Sequence, residues 1–319
     1  MKKLLLLTAA LLLGSLAHSQ EADDLGTSYA EVSFVARAEF SSIEEIHHLG
    51  NSSFYALLEG AFSPNLTYYV QTHLLSSAPR YLYEGTLYSN TTNWLDYAYL
   101  NYDFGALDVT LGKDCQTFGI YEYDLDDFDV DYEFASNLWS YMPAYQWGAK
   151  LNWCPDDTFF LSAQIATSPF GERPFVSGKF AYSLKYGVTY REHFNDQYSF
   201  SFIQREDGTF FKLFCVGLNY NVGNWDLYFD GAIDFFSNKL PNIKTITANY
   251  TISDKWALSG RFGLDNMDWD WVWCENRWYG GLKAMWFPIE QLRVHALAGY
   301  DSWVNAPTFN IGLTWKMSL

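Results

Sequence analysis

The densest charge in this 319-residue chain is a run of seven carboxylates within residues 122–133. They are Glu122, Asp124, Asp126, Asp127, Asp129, Asp131 and Glu133, and no Lys or Arg occurs between Lys113 and Lys150. The run lacks the glycine and the terminal glutamate of the helix–loop–helix calcium motif, so we predict no metal site and no cofactor. Tyr, Leu, Phe and Val alternate with the acids and give the segment an apolar side that would pack on a protein surface. A solvated acidic surface loop is the alternative interpretation.

The composition excludes several classes of protein. The chain has 37 acidic and 20 basic residues, a formal net charge of -17, 19% aromatic and 49% hydrophobic residues. Such an acidic chain repels phosphate backbones, which argues against nucleic acid as a partner. The aromatic content excludes disorder, and four cysteines are too few for a disulfide scaffold of this length. We find no nucleophile motif such as G-x-S-x-G, so we predict that the protein is not an enzyme.

The first twenty residues have the pattern of an export signal. Lys2 and Lys3 precede an apolar run from Leu4 to Leu13, and small residues stand at Ala17 and Ser19. This pattern predicts a signal peptide over residues 1–20, cleaved near Ser19 or Gln20, followed by one domain over residues 21–319. A membrane anchor is the alternative, but the run is shorter than the roughly 20 residues that a spanning helix needs.

The rest of the chain alternates between apolar and polar residues with a period of two. In the last segment, the alternate residues Phe309, Ile311, Leu313, Trp315, Met317 and Leu319 fall on one face. This pattern is typical of β-strands with one apolar face. It predicts sixteen strands, for example over 29–40, 197–206, 277–287 and 308–319.

The strands fit a membrane barrel better than a soluble β-sandwich. At about 10–12 residues, they have the length that a tilted strand needs to cross a bilayer. Short turns alternate with longer loops, as they do when all turns lie at one end of a barrel. We therefore predict an all-β fold, a transmembrane antiparallel β-barrel of about 16 strands. A barrel of this size has a water-filled lumen.

One stretch of the chain resembles a known family. Between residues 93 and 153, the positions Ala98-Tyr99-Leu100, Tyr102, Gly112-Lys113 and Phe118-Gly119 are similar to a segment of the phosphate-selective porin O and P family, in particular its Bacteroidetes-type members. The resemblance implies a homotrimer in the bacterial outer membrane, with one pore per subunit and a long third outer loop folded inward. The phosphate-selective members have basic residues at the constriction, whereas this loop is acidic.

Barrel geometry suggests what the acidic loop faces. The loop leaves between strands 5 and 6, so it faces strands 13 and 14, half-way round a sixteen-strand barrel. Five neighbouring strands each direct one basic residue inward, and these residues form a basic wall: Arg37, Arg261, Lys283, Arg293 and Lys316. We predict that the acidic loop and this wall set up a transverse field at the constriction. The alternative is that the lumen charges are scattered for hydration or pair with nearby acids.

Together these features predict a passive outer-membrane channel for small hydrophilic solutes or ions. The acidic loop favours a preference for cations. A phosphate-selective or anion-selective pore that uses the basic wall remains an alternative. An adhesin or structural barrel and an outer-membrane enzyme such as a lipid hydrolase are the other two alternatives. We expect outer-membrane lipid around the barrel.

Overall fold

The computed structural model describes residues 28–43, 46–49, 52–76, 94–170, 178–190, 193–234, 242–266, 268–269, 272–273 and 276–319. The predicted signal peptide over residues 1–20 lies outside these described residues. Among them, no helix is long and apolar enough to cross a membrane.

Sixteen long strands dominate the structure, in agreement with the period-two pattern of the sequence. In chain order, β1 to β16 are Tyr29–Ile43, Ser53–Ser63, Leu66–Ser76, Leu95–Asp103, Leu107–Cys115, Tyr145–Asp156, Phe159–Thr167, Phe180–Tyr190, Phe194–Gln204, Phe210–Val222, Trp225–Asp234, Asn242–Ser253, Trp256–Asp265, Arg277–Ile289, Leu292–Asp301 and Ala306–Ser318. A short strand, Ile46–His48, pairs with the end of β1, and Asp268–Trp269 pairs with Val272–Trp273.

The strands close into one antiparallel barrel. Each pairs with its neighbours in the sequence, and β16 pairs with β1 from Ser33↔Ser318 to Ile43↔Thr308. Closure leaves no free strand edge, which a barrel in a membrane requires. The predicted sixteen-strand antiparallel barrel is therefore confirmed.

Some strand boundaries differ from the prediction because turn residues end a strand earlier than its apolar pattern does. The ninth strand was expected over 197–206, whereas β9 ends at Gln204. The Arg205 N–H donates to the Thr209 carbonyl at 2.8 Å, and Gly208 between them has a φ of 86°. A left-handed glycine in a short loop is typical of a hairpin, so the chain reverses here.

The two faces of the barrel have opposite polarity. On β16, Phe309 and Ile311 point outward and are more than half exposed, whereas the inward Thr308, Asn310 and Thr314 are buried. Similar exposed apolar side chains occur on other strands around the outside, for example Leu184, Phe262 and Leu282. This is the reverse of a soluble β-protein and is the arrangement of a membrane barrel.

The connection between β5 and β6 lies inside the barrel. This inner loop, residues 116–144, contains three 3-10 turns, Tyr121–Asp124, Asp127–Asp129 and Tyr132–Phe134, and the short helix α1, Asn137–Tyr141. The Ser136 side chain caps α1 by accepting a hydrogen bond from the Trp139 N–H at 3.1 Å. The inner loop is the third connection at the long-loop end, as expected for a loop that folds into the lumen.

Candidate channel constriction

An apolar side fixes the inner loop to one part of the wall. The largest buried cluster among the described residues joins Phe118, Ile120 and Leu138 of the loop to wall residues such as Ile203 on β9 and Leu213 on β10. Full burial of a side chain of this size stabilises a fold by roughly 1.5–3 kcal/mol. The aromatic and aliphatic residues between the acids therefore hold the loop against the strands β9 to β12.

Backbone hydrogen bonds bring the start of the inner loop to the same wall. The Gly119 N–H donates to Ser199 Oγ at 2.8 Å, and the Tyr121 N–H donates to Asp230 Oδ1 at 2.7 Å. A Cβ at Gly119 would lie 2.6 Å from the backbone nitrogen of Ser199, so only glycine allows this approach. The buried Asp230 also accepts from the Glu122 N–H at 3.2 Å and thus serves as an anchor for the loop backbone.

The acids of the inner loop contact the basic wall directly. Glu122 pairs with Arg261 on β13. Asp131 accepts two hydrogen bonds from Lys283 Nζ on β14, at 2.7 and 2.8 Å. Burial alone would raise the pKa of Asp131, but the charges of Lys283 and Arg37 outweigh it and lower that pKa. Asp131 is therefore a carboxylate in its contact with the wall.

The contact continues along β15, β16 and β1. Asp129 pairs with Arg293 at 2.6 Å and with Lys316 at 3.4 Å. Arg37 donates to the Val130 carbonyl at 2.7 Å, while its charge pairs with Glu39 on its own strand at 2.5 Å. All five residues of the predicted basic wall thus touch the inner loop, four through carboxylates and one through a backbone carbonyl.

The remaining acids of the run have different surroundings. Asp124 pairs with Lys185 on β8 at 2.8 Å and accepts from Gln197 Nε2 on β9 at 2.8 Å. Glu133 accepts from Asn310 Nδ2 at 2.9 Å; burial and the nearby Glu39 raise the pKa of Glu133. The side chain of Asp126 is exposed, and the side chain of Asp127 lies outside the described residues.

Several residues that the sequence does not predict also hold the inner loop, among them Arg277, Lys185 and Asp230. The buried Arg277 donates to the Ala135 carbonyl at 3.0 Å and to Asn137 Oδ1 at 2.9 Å, and it pairs with Asp301 at 2.7 Å. Arg277 has the same parity as Lys283 on β14, so the alternation that identified Lys283 could also have identified Arg277. No pattern in the sequence links Asp230 to a loop more than 100 residues away.

The acidic loop and the basic wall are thus in contact, with no open passage between the paired groups. A transverse field across the pore requires the acids of the loop and the basic residues of the wall to stand apart, and therefore a loop that does not reach the wall. The apolar side of the loop and its backbone anchors carry it across the lumen, where the long Arg and Lys side chains reach its acids. The described residues contain no group of three or more His, Cys, Asp or Glu side chains that could hold a metal ion.

Comparison with known proteins relates the chain to outer-membrane barrels by fold. No family model and no curated protein matches the sequence. The loop L8 deletion mutant of OmpT, an outer membrane protein of Vibrio cholerae, has a TM-score of 0.65 at 15% identity, covering 92% of this chain and all of that chain. An anion-selective porin from Comamonas acidovorans has a TM-score of 0.66 at 8% identity, covering 91% of this chain and 100% of that chain. OprB from Pseudomonas putida has a TM-score of 0.63 at 12% identity, covering 92% of this chain and 94% of that chain. At these identities the likeness shows a shared barrel fold.

Proposed function

We propose that the protein is an outer-membrane porin that lets small hydrophilic solutes or ions diffuse through its lumen. The observation that carries the proposal is a closed sixteen-strand barrel with an apolar outside and a charged loop inside. A barrel of this width has room for an aqueous channel, and the inner loop would be its constriction. The proposal includes export by the signal peptide, assembly as a homotrimer and no enzymatic activity. It also includes the kinship with the phosphate-selective porin O and P family.

We further propose a preference for cations. Removing residues 1–20 takes away two lysines and no acid, which leaves 37 acids against 18 bases. The five residues of the basic wall already contact the inner loop, so they offer little free positive charge to an anion. The exposed Asp126 on the loop and the opposed pair Glu31↔Glu59 on β1 and β2 add negative charge. Fixed negative charge in a narrow lumen concentrates cations near the bottleneck.

The reversal potential of single channels in a salt gradient tests this function. Replacing Asp124, Asp126, Asp127, Asp129 and Asp131 with Asn should move the reversal potential toward anions and change the conductance. The matched control is the pair Asp157→Asn and Asp254→Asn, which neutralises exposed acids in two short turns. An unchanged reversal potential in the five-residue variant would exclude the loop as the selectivity element.

Two other functions give different results in the same experiment. A phosphate-selective pore would show a reversal potential that indicates anion selectivity in the wild type. The pairing of the basic wall with carboxylates of the loop argues against such a pore. An adhesin or structural barrel would fold and conduct nothing. The dense packing around the inner loop favours this second candidate, so the experiment must establish conduction first.

A further inference from the structure

A row of inward side chains crosses the strands β1 to β4 near the short-turn end of the barrel. The strand register places Glu31 opposite Glu59, Glu59 opposite Tyr69, and Tyr69 opposite Tyr99. Tyr69 has the same parity as the buried Gln71, and its hydroxyl donates to Gln71 Oε1 at 2.8 Å, so the row faces the lumen. Directly opposite side chains of an antiparallel sheet are close neighbours. These four residues, the Tyr–Glu row, therefore form one continuous surface.

The aromatic part of the Tyr–Glu row is accessible from the lumen. The rings of Tyr69 and Tyr99 are tilted by 30° with centroids 5.6 Å apart, and both side chains are half-buried. Tyr97 supports them edge-on, with centroid distances of 5.5 Å to Tyr69 and 6.2 Å to Tyr99. Beyond Tyr99 the register continues with Gly112 and Gly148, so β5 and β6 offer no side chain at this level.

Three carboxylates beside these rings have no ion-pair partner within 4 Å in the described part of the chain. Glu59 is exposed and Glu31 is half-buried. The third is Asp126, on the exposed part of the inner loop. The hydroxyl of Tyr99 is within electrostatic reach of three acids, Asp114, Glu59 and Asp126. The inner loop therefore presents Asp126 toward the Tyr–Glu row from the other side of the lumen.

A cation that carries carbon groups fits this surface best. The face of an aromatic ring attracts an ammonium ion, and the ring also offers apolar area to the carbon groups of that ion. Leu125, exposed next to Asp126, adds apolar area from the loop. The carboxylates attract any cation and repel anions. A neutral saccharide would gain from the rings, but it would gain nothing from the charges.

We infer that the Tyr–Glu row is a weak binding site for organic ammonium ions on their way through the lumen. The inference rests on the proposed porin function and names a solute class for it. The rings of Tyr69 and Tyr99 contact the carbon groups, while Glu59 and Asp126 attract the charge from two sides. Weak binding of this kind favours entry and still permits release, as conduction requires.

Recording with tetramethylammonium chloride on one side of a planar bilayer and potassium chloride on the other tests the site in the full-length protein. The reversal potential gives the permeability of tetramethylammonium relative to K⁺. In the wild type, this ratio should exceed the ratio of the two mobilities in water. The tetramethylammonium current should also saturate at a lower concentration than the K⁺ current, because the site holds the organic ion.

Paired variants separate the rings from the charges. Tyr69→Leu with Tyr99→Leu keeps an apolar surface without ring faces, so the saturating concentration of tetramethylammonium should rise by at least about fivefold, and by about twofold for Tyr99→Leu alone. Tyr69→Phe with Tyr99→Phe keeps the ring faces and should stay close to the wild type. Glu59→Gln should lower the preference for K⁺ over Cl⁻. Tyr182→Leu, on the outward face of β8, is the matched control and should change nothing. Heat-modifiable migration on gels shows that each variant is a folded barrel.

The outcomes separate this inference from the porin function. Folded wild-type barrels that conduct no ion would overturn the porin function, and the site with it. Conducting barrels whose permeability ratio equals the mobility ratio, in the wild type and in the leucine pair alike, would overturn the site and leave the porin intact. An equal loss in the phenylalanine and leucine pairs would also overturn it, because the hydroxyls would then recognise the solute. A block of the K⁺ current by glucose that both pairs abolish would assign the row to a saccharide instead.

Discussion

Replacing Arg277 with Met should destabilise the barrel strongly, because this side chain joins two buried acids of the wall to the inner loop. The Arg277 guanidinium donates to Asp301 Oδ2 from Nε at 2.9 Å and from a terminal nitrogen at 2.7 Å. It also lies 3.7 Å from Asp265 Oδ2 and holds the Ala135 carbonyl of the loop. Methionine fills a similar volume but has no donor for any of these groups.

The magnitude follows from the charges that remain. Asp301 and Asp265 are buried, and Asp265 keeps only the neutral donors Asn137 N–H at 2.8 Å and Tyr279 OH at 3.4 Å. Removing one partner of a buried pair costs about 3–5 kcal/mol, because it leaves a buried charge without compensation. We therefore expect Arg277→Met to lower the free energy of unfolding by that amount. Lys255→Met, in an exposed turn, should change it by less than about 0.5 kcal/mol.

Urea unfolding in detergent, followed by tryptophan fluorescence, measures this free energy. Adding Asp301→Asn to Arg277→Met removes the stranded charge, so the double variant should recover part of the loss. We expect a coupling energy of about 2 kcal/mol, within the range for residues in one network. Protease cleavage within residues 116–144 should also speed up in Arg277→Met. A loss below about 1 kcal/mol, with unchanged cleavage, would refute the view that this buried arginine anchors the loop.

Three further changes test the other contacts by the same unfolding measurement. Gly119→Ala forces the loop away from β9 and should cost about 1–3 kcal/mol, whereas Gly260→Ala, whose Cβ would meet only one flexible side-chain atom, should be nearly neutral. Glu133→Gln should be neutral or stabilising at pH 7. Burial and the nearby Glu39 raise the pKa of Glu133, so its ionised form destabilises the fold increasingly as the pH rises above about 4.3, the ordinary pKa of glutamate. Asp131→Asn should destabilise the fold at pH 7 and have less effect in acid. The pKa of Asp131 is lowered in the fold, so its carboxylate stabilises the fold fully above about pH 3.9, the ordinary pKa of aspartate, and this stabilisation is lost as the pH falls further. A larger loss for Glu133→Gln than for Asp131→Asn would contradict this assignment.

The sequence predicts the barrel well because the physical cause of the barrel is local. A strand with period two has two faces, and the choice of which face meets lipid follows from strand length and from the alternation of turns and loops. The same parity placed Arg261, Lys283 and Arg293 inward. Parity fails where a turn residue overrides the pattern, as Gly208 does at the end of β9, and where the register shifts within a strand, as between Gln71 and Thr72 on β3.

The depth of the inner loop could not be predicted in this way. Its position depends on contacts between residues far apart in the chain, such as Gly119 with Ser199 and Tyr121 with Asp230. The alternating apolar residues show that the loop packs on something, but not how far it reaches across the lumen. The contact of the acids with the basic wall depends on that distance. A difference of a few ångströms decides between an ion pair and an open passage.

If ions pass through the lumen as proposed, pairing decides which of these charges acts on them. Asp131 and Lys283 lie 2.7 Å apart, so their fields largely cancel a short distance away. Among the described acids of the run, Asp126 is exposed and has no ion-pair partner within 4 Å, so under the proposed porin function it would act on a passing cation. The transverse field that the sequence suggests for the constriction is therefore weakened where acid and base are paired. Under the proposed porin function, the ion preference would depend on the charges that have no ion-pair partner, such as Asp126.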